Sequence, residues 1–257
     1  MTYQPDLYEA TTPATVGGDT EWYRAKAREY GGPVLELGAG TGRITLALAQ
    51  DGASVYALEA DAGMLQALRA RVSDQPTPVR DRITIVEADM RSFDLPERFA
   101  LVIAPFRVFL HNLTEADQLA CLTRVRHHLQ PDGAFSFNVF HPSLEFMAKN
   151  AGPLTSVWRA GDVFEQPTGG WIVRSESIRY DTVRQRVLGL LRYEVYDSGG
   201  TLTRTAMHKL ELAYLYRADI ERLLQQAGFS SVQIAGGFDG RPLSRDSDEL
   251  VIEARVS

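Results

Sequence analysis

Several residues in this chain have types and spacings suited to chemistry. Gly38, Gly40 and Gly42 alternate behind an acid, Glu36. A second carboxylate, Glu59, stands 17 residues beyond Gly42. His111 and His141 each follow an apolar run, and Arg107 lies just before the first of them. Alternating glycines let the backbone turn sharply and let a ligand lie on it without meeting a β-carbon. A helix starting after such a turn aims unpaired N–H groups and a partial positive charge at that ligand. A carboxylate at the distance of Glu59 accepts both hydroxyls of a ribose, a task that needs two acceptor oxygens. A neutral imidazole titrates where a base is useful. A guanidinium such as Arg107 pairs with a carboxylate of a cofactor or substrate. The chemistry indicated is the binding of a nucleotide-like ligand at the turn, with a candidate base at hand.

Positioning these groups requires strands that end at one rim. Val34, Leu35 and Leu37 read as a buried strand before the glycines, and Ile44, Ala47 and Leu48 share one face of the helix after them. Further strands are expected at Ala53–Glu59, Ile83–Glu87, Phe99–Ala104 and Ala134–Phe140. Between the last two, a helix runs from Thr114 to Leu129, with His127 and His128 solvated on its final turn. Pro131-Asp132-Gly133 is a turn. Strands alternating with helices give a parallel, doubly wound sheet. Ligands in such sheets sit outside the carboxyl ends of the strands, which places Gly38–Gly42, Glu59, Asp89, Phe106, Arg107 and His141 on one rim.

The pattern changes after His141. A short helix is expected over Pro142–Ala151, followed by three long β segments at Trp171–Tyr180, Arg186–Tyr196 and Thr201–Ala213. Asp197-Ser198-Gly199-Gly200 is a hairpin signal. Leu191, Tyr193 and Val195 alternate with Arg192 and Glu194, as in an antiparallel sheet with one covered face. A helix at Ala218–Ala227 and strands at Ser231–Ala235 and Glu249–Val256 then resume the first pattern. The loop between those strands carries Phe238, Asp239 and Arg241. Near the N-terminus, Tyr23 and one of Tyr3 or Tyr8 are expected to wall a ligand.

With 257 residues, 44% hydrophobic and 23% charged, the chain suits one large α/β domain, or one domain with a sizeable insertion. The net charge of −6 argues against a broad nucleic-acid footprint. No apolar run spans a membrane and no signal peptide is evident, so the cytoplasm is expected. One cysteine, Cys121, allows neither an intrachain disulfide nor an all-cysteine metal site, and no metal is expected. It falls in a helical pattern, where a small buried residue is expected.

A phosphate-binding P-loop would end in Gly-Lys-Ser/Thr and a dinucleotide fingerprint would read G-x-G-x-x-G. Glu36-Leu37-Gly38-Ala39-Gly40-Thr41-Gly42 matches neither. It resembles the first motif of class I S-adenosylmethionine (SAM) dependent methyltransferases. Glu59-Ala60-Asp61-Ala62-Gly63-Met64-Leu65 resembles their acid followed by Met-Leu. The family usually has Ser where Asp61 stands, yet Asp61 still serves as a helix cap. The resemblance covers residues 34–140 and 218–256. The stretch Gly236–Leu243 looks like that of bacterial small-molecule methyltransferases, some of them amino-sugar or antibiotic N-methyltransferases.

The resemblance implies an α/β fold: a doubly wound, seven-stranded, mainly parallel sheet with an antiparallel last strand, and an inserted antiparallel sheet covering the active rim. Residues 1–141 and 215–257 would form the SAM-binding domain, and 142–214 a lid or a homodimer interface. SAM would be held by Tyr23, Glu36, Gly38, Ala39, Gly40, Gly42, Glu59, Ala60, Met64, Asp89, Met90, Ala104 and Phe106. Asp89 would accept the adenine amino group. A small methyl acceptor would meet Tyr8, Arg107, His141 and Arg241. Its nitrogen or oxygen would displace the methyl group in line, with His141, then His111, as candidate base. Methyltransferases acting on the amino groups of nucleic acids carry Asn, Asp or Ser before the proline after the fourth strand. Here that residue is Ala104, which together with the acidic balance counts against nucleic acid as a partner, and with no spanning apolar run no membrane partner is expected. Two other readings stay open: an NAD(P)-dependent oxidoreductase and a non-catalytic SAM-binding protein.

Overall fold

The computed structural model describes residues 4–13, 16–150, 158–167 and 169–256. In chain order the elements begin with α1 (Pro5–Thr11), α2 (Asp19–Tyr30), β1 (Pro33–Leu37), α3 (Arg43–Gln50) and β2 (Ser54–Glu59). Next come α4 (Ala62–Ser73), α5 (Thr77–Arg80), β3 (Ile83–Glu87) and β4 (Phe99–Ala104). A single 3-10 turn at Val108–His111 leads to α6 (Glu115–His128), β5 (Leu129–Phe140) and α7 (Leu144–Lys149). The chain continues through β6 (Arg159–Glu165), β7 (Trp171–Asp181), β8 (Arg186–Tyr196) and β9 (Leu202–Ala213). It ends with α8 (Arg217–Gln226), β10 (Ser231–Ala235) and β11 (Glu249–Arg255).

Seven strands form one sheet in the order β10-β11-β5-β4-β1-β2-β3. The pairs β5–β4, β4–β1, β1–β2 and β2–β3 are parallel, while β11 runs antiparallel to both β5 and β10. Strand β4 is buried at all six positions, as a strand covered on both faces must be. One core cluster gathers Tyr23, Val34, Ile44, Leu48, Val55, Leu101 and Ile103; another gathers Leu46, Ala57, Leu68 and Val72. Local chemistry fixes the helix starts. The Asp61 carboxylate accepts the Gly63 and Met64 N–H groups at 2.9 and 3.0 Å and caps α4. Thr114 and Asp117 form a reciprocal capping box on α6.

The other four strands form an antiparallel sheet, β6-β7-β8-β9. The Asp197 side chain closes its β8–β9 hairpin by accepting the Gly199 and Thr201 N–H groups, each at 2.9 Å. The expected covered face exists: Ile172, Tyr193 and Ala206 bury against Leu7 of α1, with Leu191 and Val195 beside them. Arg174 also donates to the Thr11 carbonyl at 3.2 Å.

Several expectations are corrected. The chain divides into two compact units, and α1 belongs with Pro142–Tyr214 instead of with the seven-stranded unit; the apolar face of β7–β9 needs a cover, and α1 supplies it. Tyr3 and Ala151 lie outside the described residues. Strand β6 and the short helices α1 and α5 are additions to the expected elements. Strand β5 begins at Leu129, so Pro131-Asp132-Gly133 is an irregularity within the strand, with Asp132 at φ 62 and a register shift against β4. His128 is buried, not solvated. Its Nε2 accepts the Leu95 N–H at 2.9 Å and its Nδ1 meets the Arg124 carbonyl at 2.7 Å, so the ring ties the β3–β4 connection to α6. Cys121 is buried as expected, its thiol pushed up to about 12 by desolvation. Among the described residues no helix is long and apolar enough to cross a membrane, and no group of three or more His, Cys, Asp or Glu is placed to hold a metal ion.

Candidate active site

The three glycines have different jobs. All have positive φ: 63° at Gly38, 59° at Gly40 and 89° at Gly42. A β-carbon on Gly38 would lie 2.2 Å from Val108 Cγ2, and one on Gly42 would lie 2.5 Å from Leu68 Cδ1. One on Gly40 would meet nothing within 4 Å. Gly38 and Gly42 therefore let the protein close on itself, while Gly40 faces open space. The turn is pinned from β2: the Ala39 N–H donates to the Leu58 carbonyl at 2.9 Å, and the Gly40 N–H to Glu59 Oε2 at 2.7 Å. Glu59 Oε1 accepts the Ala60 and Asp61 N–H groups, each at 2.8 Å. Three accepted bonds leave this carboxylate with acceptor capacity to spare.

A cleft of about 250 Å³ opens beside the turn. Gly38, Glu59, Ala60, Asp89, Met90 and His111 line it, together with Asp61, Arg91, Val108 and Asn112. It thus collects groups from the carboxyl ends of β1, β2 and β3 and from the segment after β4. Both Asp89 oxygens bond to Arg91, whose Nη2 lies 2.6 Å from Oδ2, and these bonds hold the carboxyl below its usual range. The Met90 sulfur accepts from Asn112 Nδ2 at 3.3 Å.

Other expected residues lie elsewhere. Glu36 is buried beneath the turn, accepts from the Thr45 hydroxyl, and is pushed up to about 7 by desolvation. Met64 and Ala104 are buried and do not line the cleft. Tyr23 is fully buried in the core, its hydroxyl donating to Asn138 Oδ1 at 3.1 Å. Tyr8 sits in α1, in the four-stranded unit. Phe106 is 36% exposed, with the Arg43 guanidinium 5.6 Å from its ring centre. Arg43 in turn grips buried Asp19 through two bonds of 2.9 and 2.6 Å. Arg241 folds onto its own loop, reaching the Gly236 carbonyl at 3.1 Å and Asp239 at 3.3 Å.

Arg107 is ion-paired with Glu249, its Nε 2.8 Å from Oε1. Asn138 Nδ2 donates to the other Glu249 oxygen at 3.0 Å. Sequence reasoning missed Asn138 and Glu249. The only signal for Asn138 was an amide inside the apolar run Ala134–Phe140, where a polar residue is seldom buried without a partner. His141 is half-buried; its N–H donates to the Asp248 carbonyl at 2.8 Å and its Nδ1 lies 3.0 Å from the Ser247 carbonyl. A carbonyl only accepts, so Nδ1 carries the hydrogen and Nε2 of the neutral ring keeps its lone pair.

Residues 34–133 match the family described as "Methyltransferase domain". This chain carries a methyltransferase domain. Its seven-stranded, mainly parallel sheet, antiparallel β11 and glycine turn are those the resemblance implied, and its cofactor is SAM. The open side of Gly40 and the acceptor-rich cleft beside it suit a nucleoside-bearing ligand. The methyltransferase is 26% identical to the cypemycin N-terminal methyltransferase of a Streptomyces species over 235 residues, 91% of this chain and 87% of that one. The solved CcbJ methyltransferase of Streptomyces caelestis superposes with a TM-score of 0.78 at 24% identity, covering 98% of this chain and 96% of that one. The glycopeptide N-methyltransferase MtfA, solved with SAM, aligns with a TM-score of 0.60 at 25% identity over 94% of this chain and 95% of that one. A ribosomal RNA small subunit methyltransferase matches over only 44% of this chain.

Proposed function

We propose that this methyltransferase methylates an amine nitrogen of a small molecule, with His141 receiving the proton. The observation that carries the cofactor side is the cleft uniting Gly38, Glu59 and Asp89 from three strand ends. In this reading Gly40 and Ala39 offer the backbone against which SAM lies, Glu59 accepts from its ribose, and Asp89 with Met90 meets its adenine. When bound, SAM supplies an electrophilic methyl group carried on a sulfonium. The protein's share is alignment and exclusion of water. An amine arrives partly as its ammonium and must lose a proton to become nucleophilic, and His141 Nε2 has a lone pair to take it.

A nitrogen acceptor is supported by the glycopeptide N-methyltransferase MtfA, aligned over 94% of this chain, and by the relative named as an N-terminal methyltransferase, aligned over 91% of it. The net charge of −6 and the alanine before Pro105 favour a small acceptor over nucleic acid. The test is product analysis by mass spectrometry, with isotope-labelled methyl on SAM and a panel of amines, phenols and sugars. The expected result is label on nitrogen, with hydroxyl-only compounds unmodified. Label on oxygen alone would overturn the amine assignment, and labelled RNA in preference to any small acceptor would overturn the substrate class.

A further inference from the structure

The turn after β4 has backbone that its residues do not favour. Phe106 and Arg107 are successive non-glycine residues at φ 53° and 65°. Left-handed backbone disfavours any residue with a β-carbon, and two in a row persist only where the surroundings over-determine them. Locally, the Val108 N–H donates to the Pro105 carbonyl at 3.2 Å and the Leu110 N–H to the Arg107 carbonyl at 2.9 Å. A further restraint is remote. The Arg107 guanidinium holds Glu249, 142 residues away, and lies 5.6 Å from the Phe140 ring centre. Glu249 accepts from Asn138, and Asn138 accepts from Tyr23, whose ring is fully buried. The line Tyr23–Asn138–Glu249–Arg107 therefore runs from the core to the strained turn.

The segment just beyond this turn shapes the cofactor cleft. Val108 sits directly over Gly38, and Val108, His111 and Asn112 form one wall of the cleft. We propose that Asn138, Glu249 and Arg107 are positioning residues: they hold the Phe106–Arg107 turn in its left-handed conformation and thereby fix the wall that closes on SAM. Arg107 acts through the backbone it anchors and touches neither cofactor nor acceptor. The inference rests on the methyl-transfer reading for its ligand, while the tether itself is a property of the free protein.

The test uses Arg107→Ala, Arg107→Gly and Glu249→Gln in the full chain, with SAM affinity by calorimetry and amide exchange over residues 105–112. Both Arg107 variants remove the guanidinium, but glycine adopts positive φ freely. Arg107→Ala should weaken SAM about tenfold, whereas Arg107→Gly should stay within about threefold of wild type. Glu249→Gln, a milder change should Arg107→Ala fail to fold, should weaken SAM roughly threefold and speed exchange over 105–112. Equal losses in Arg107→Ala and Arg107→Gly would mean that Arg107 touches a ligand and would overturn the proposal. So would unchanged affinity in both, or unchanged exchange in Glu249→Gln. Failure of the wild-type chain to bind SAM would instead strike the functional reading, and the exchange data would still decide the tether.

Discussion

The two halves of the strand rim are built on opposite plans. At β1–β3, the functional groups turn outward: Gly40 faces open space, and Glu59 and Asp89 line a cleft with acceptor positions available. At β4, β5 and β11, charged and polar groups are spent on one another, as in Arg107 with Glu249 and Asn138 with Tyr23. In the proposed reading the first half receives a nucleoside of fixed shape. In the same reading the second half holds backbone and ring orientation around the acceptor, as when the Ser247 carbonyl sets the tautomer of His141. On the proposed function, cofactor binding is thus carried by local motifs and acceptor chemistry by long-range scaffolding.

The largest expected effect sharpens the acceptor side. His141→Ala should lower turnover at pH 7 by roughly a hundredfold, the lower end of what a positioned base contributes. The deficit should shrink toward wild type above the amine's own pKa, because the acceptor then arrives deprotonated. A loss that persists at every pH in the kcat profile would indicate a hydroxyl acceptor, and no loss would remove His141 from the chemistry.

A smaller effect divides the glycine turn. Gly40→Ala should weaken SAM by about tenfold, since its methyl group would stand where the proposed ligand lies, and should lower the melting temperature only by the cost of backbone strain. Gly38→Ala should do the reverse, unfolding several degrees lower because its methyl would collide with Val108. Equal behaviour of the two variants in calorimetry and thermal melts would erase the distinction between ligand-facing and packing glycines.

The smallest effect concerns Glu36 beneath the turn. Burial raises its carboxyl to about 7, above its unfolded value near 4.5. The folded form therefore binds the proton more tightly than the unfolded chain. Stability from this group is complete below about 4.5 and is lost as pH rises through about 7. Glu36→Gln should flatten the pH dependence of the melting temperature across that window and stand a few degrees above wild type at about pH 8. An unchanged slope would show that Glu36 is ionised in the fold.

The same contrast explains what was legible in the sequence. The order Val34–Leu37, three glycines, then Ile44, Ala47 and Leu48 spells out β1, the turn and α3 because each step depends on near neighbours. Glu59 and Asp89 follow from strand ends that are equally local. Nothing local links Arg107 to Glu249, or Tyr23 to Asn138, 115 residues apart. Tyr23 therefore reads as a ligand-facing aromatic although it is a core residue. His128 reads as solvated because its acceptor role needs the Leu95 N–H from another element. Strand β6 reads Arg-Ala-Gly-Asp-Val-Phe-Glu, with little alternation to signal it, and α1 buries only Leu7 and Thr11.

The most direct measurement is a pair of calorimetric titrations, SAM and NADH, into the wild-type chain and into Glu59→Ala. The account predicts saturable SAM binding to wild type, no NADH binding, and SAM affinity lower by more than roughly tenfold in Glu59→Ala, where a charged acceptor is lost. Saturable NADH binding without SAM binding would contradict it, and unchanged SAM affinity in Glu59→Ala would refute the ribose assignment.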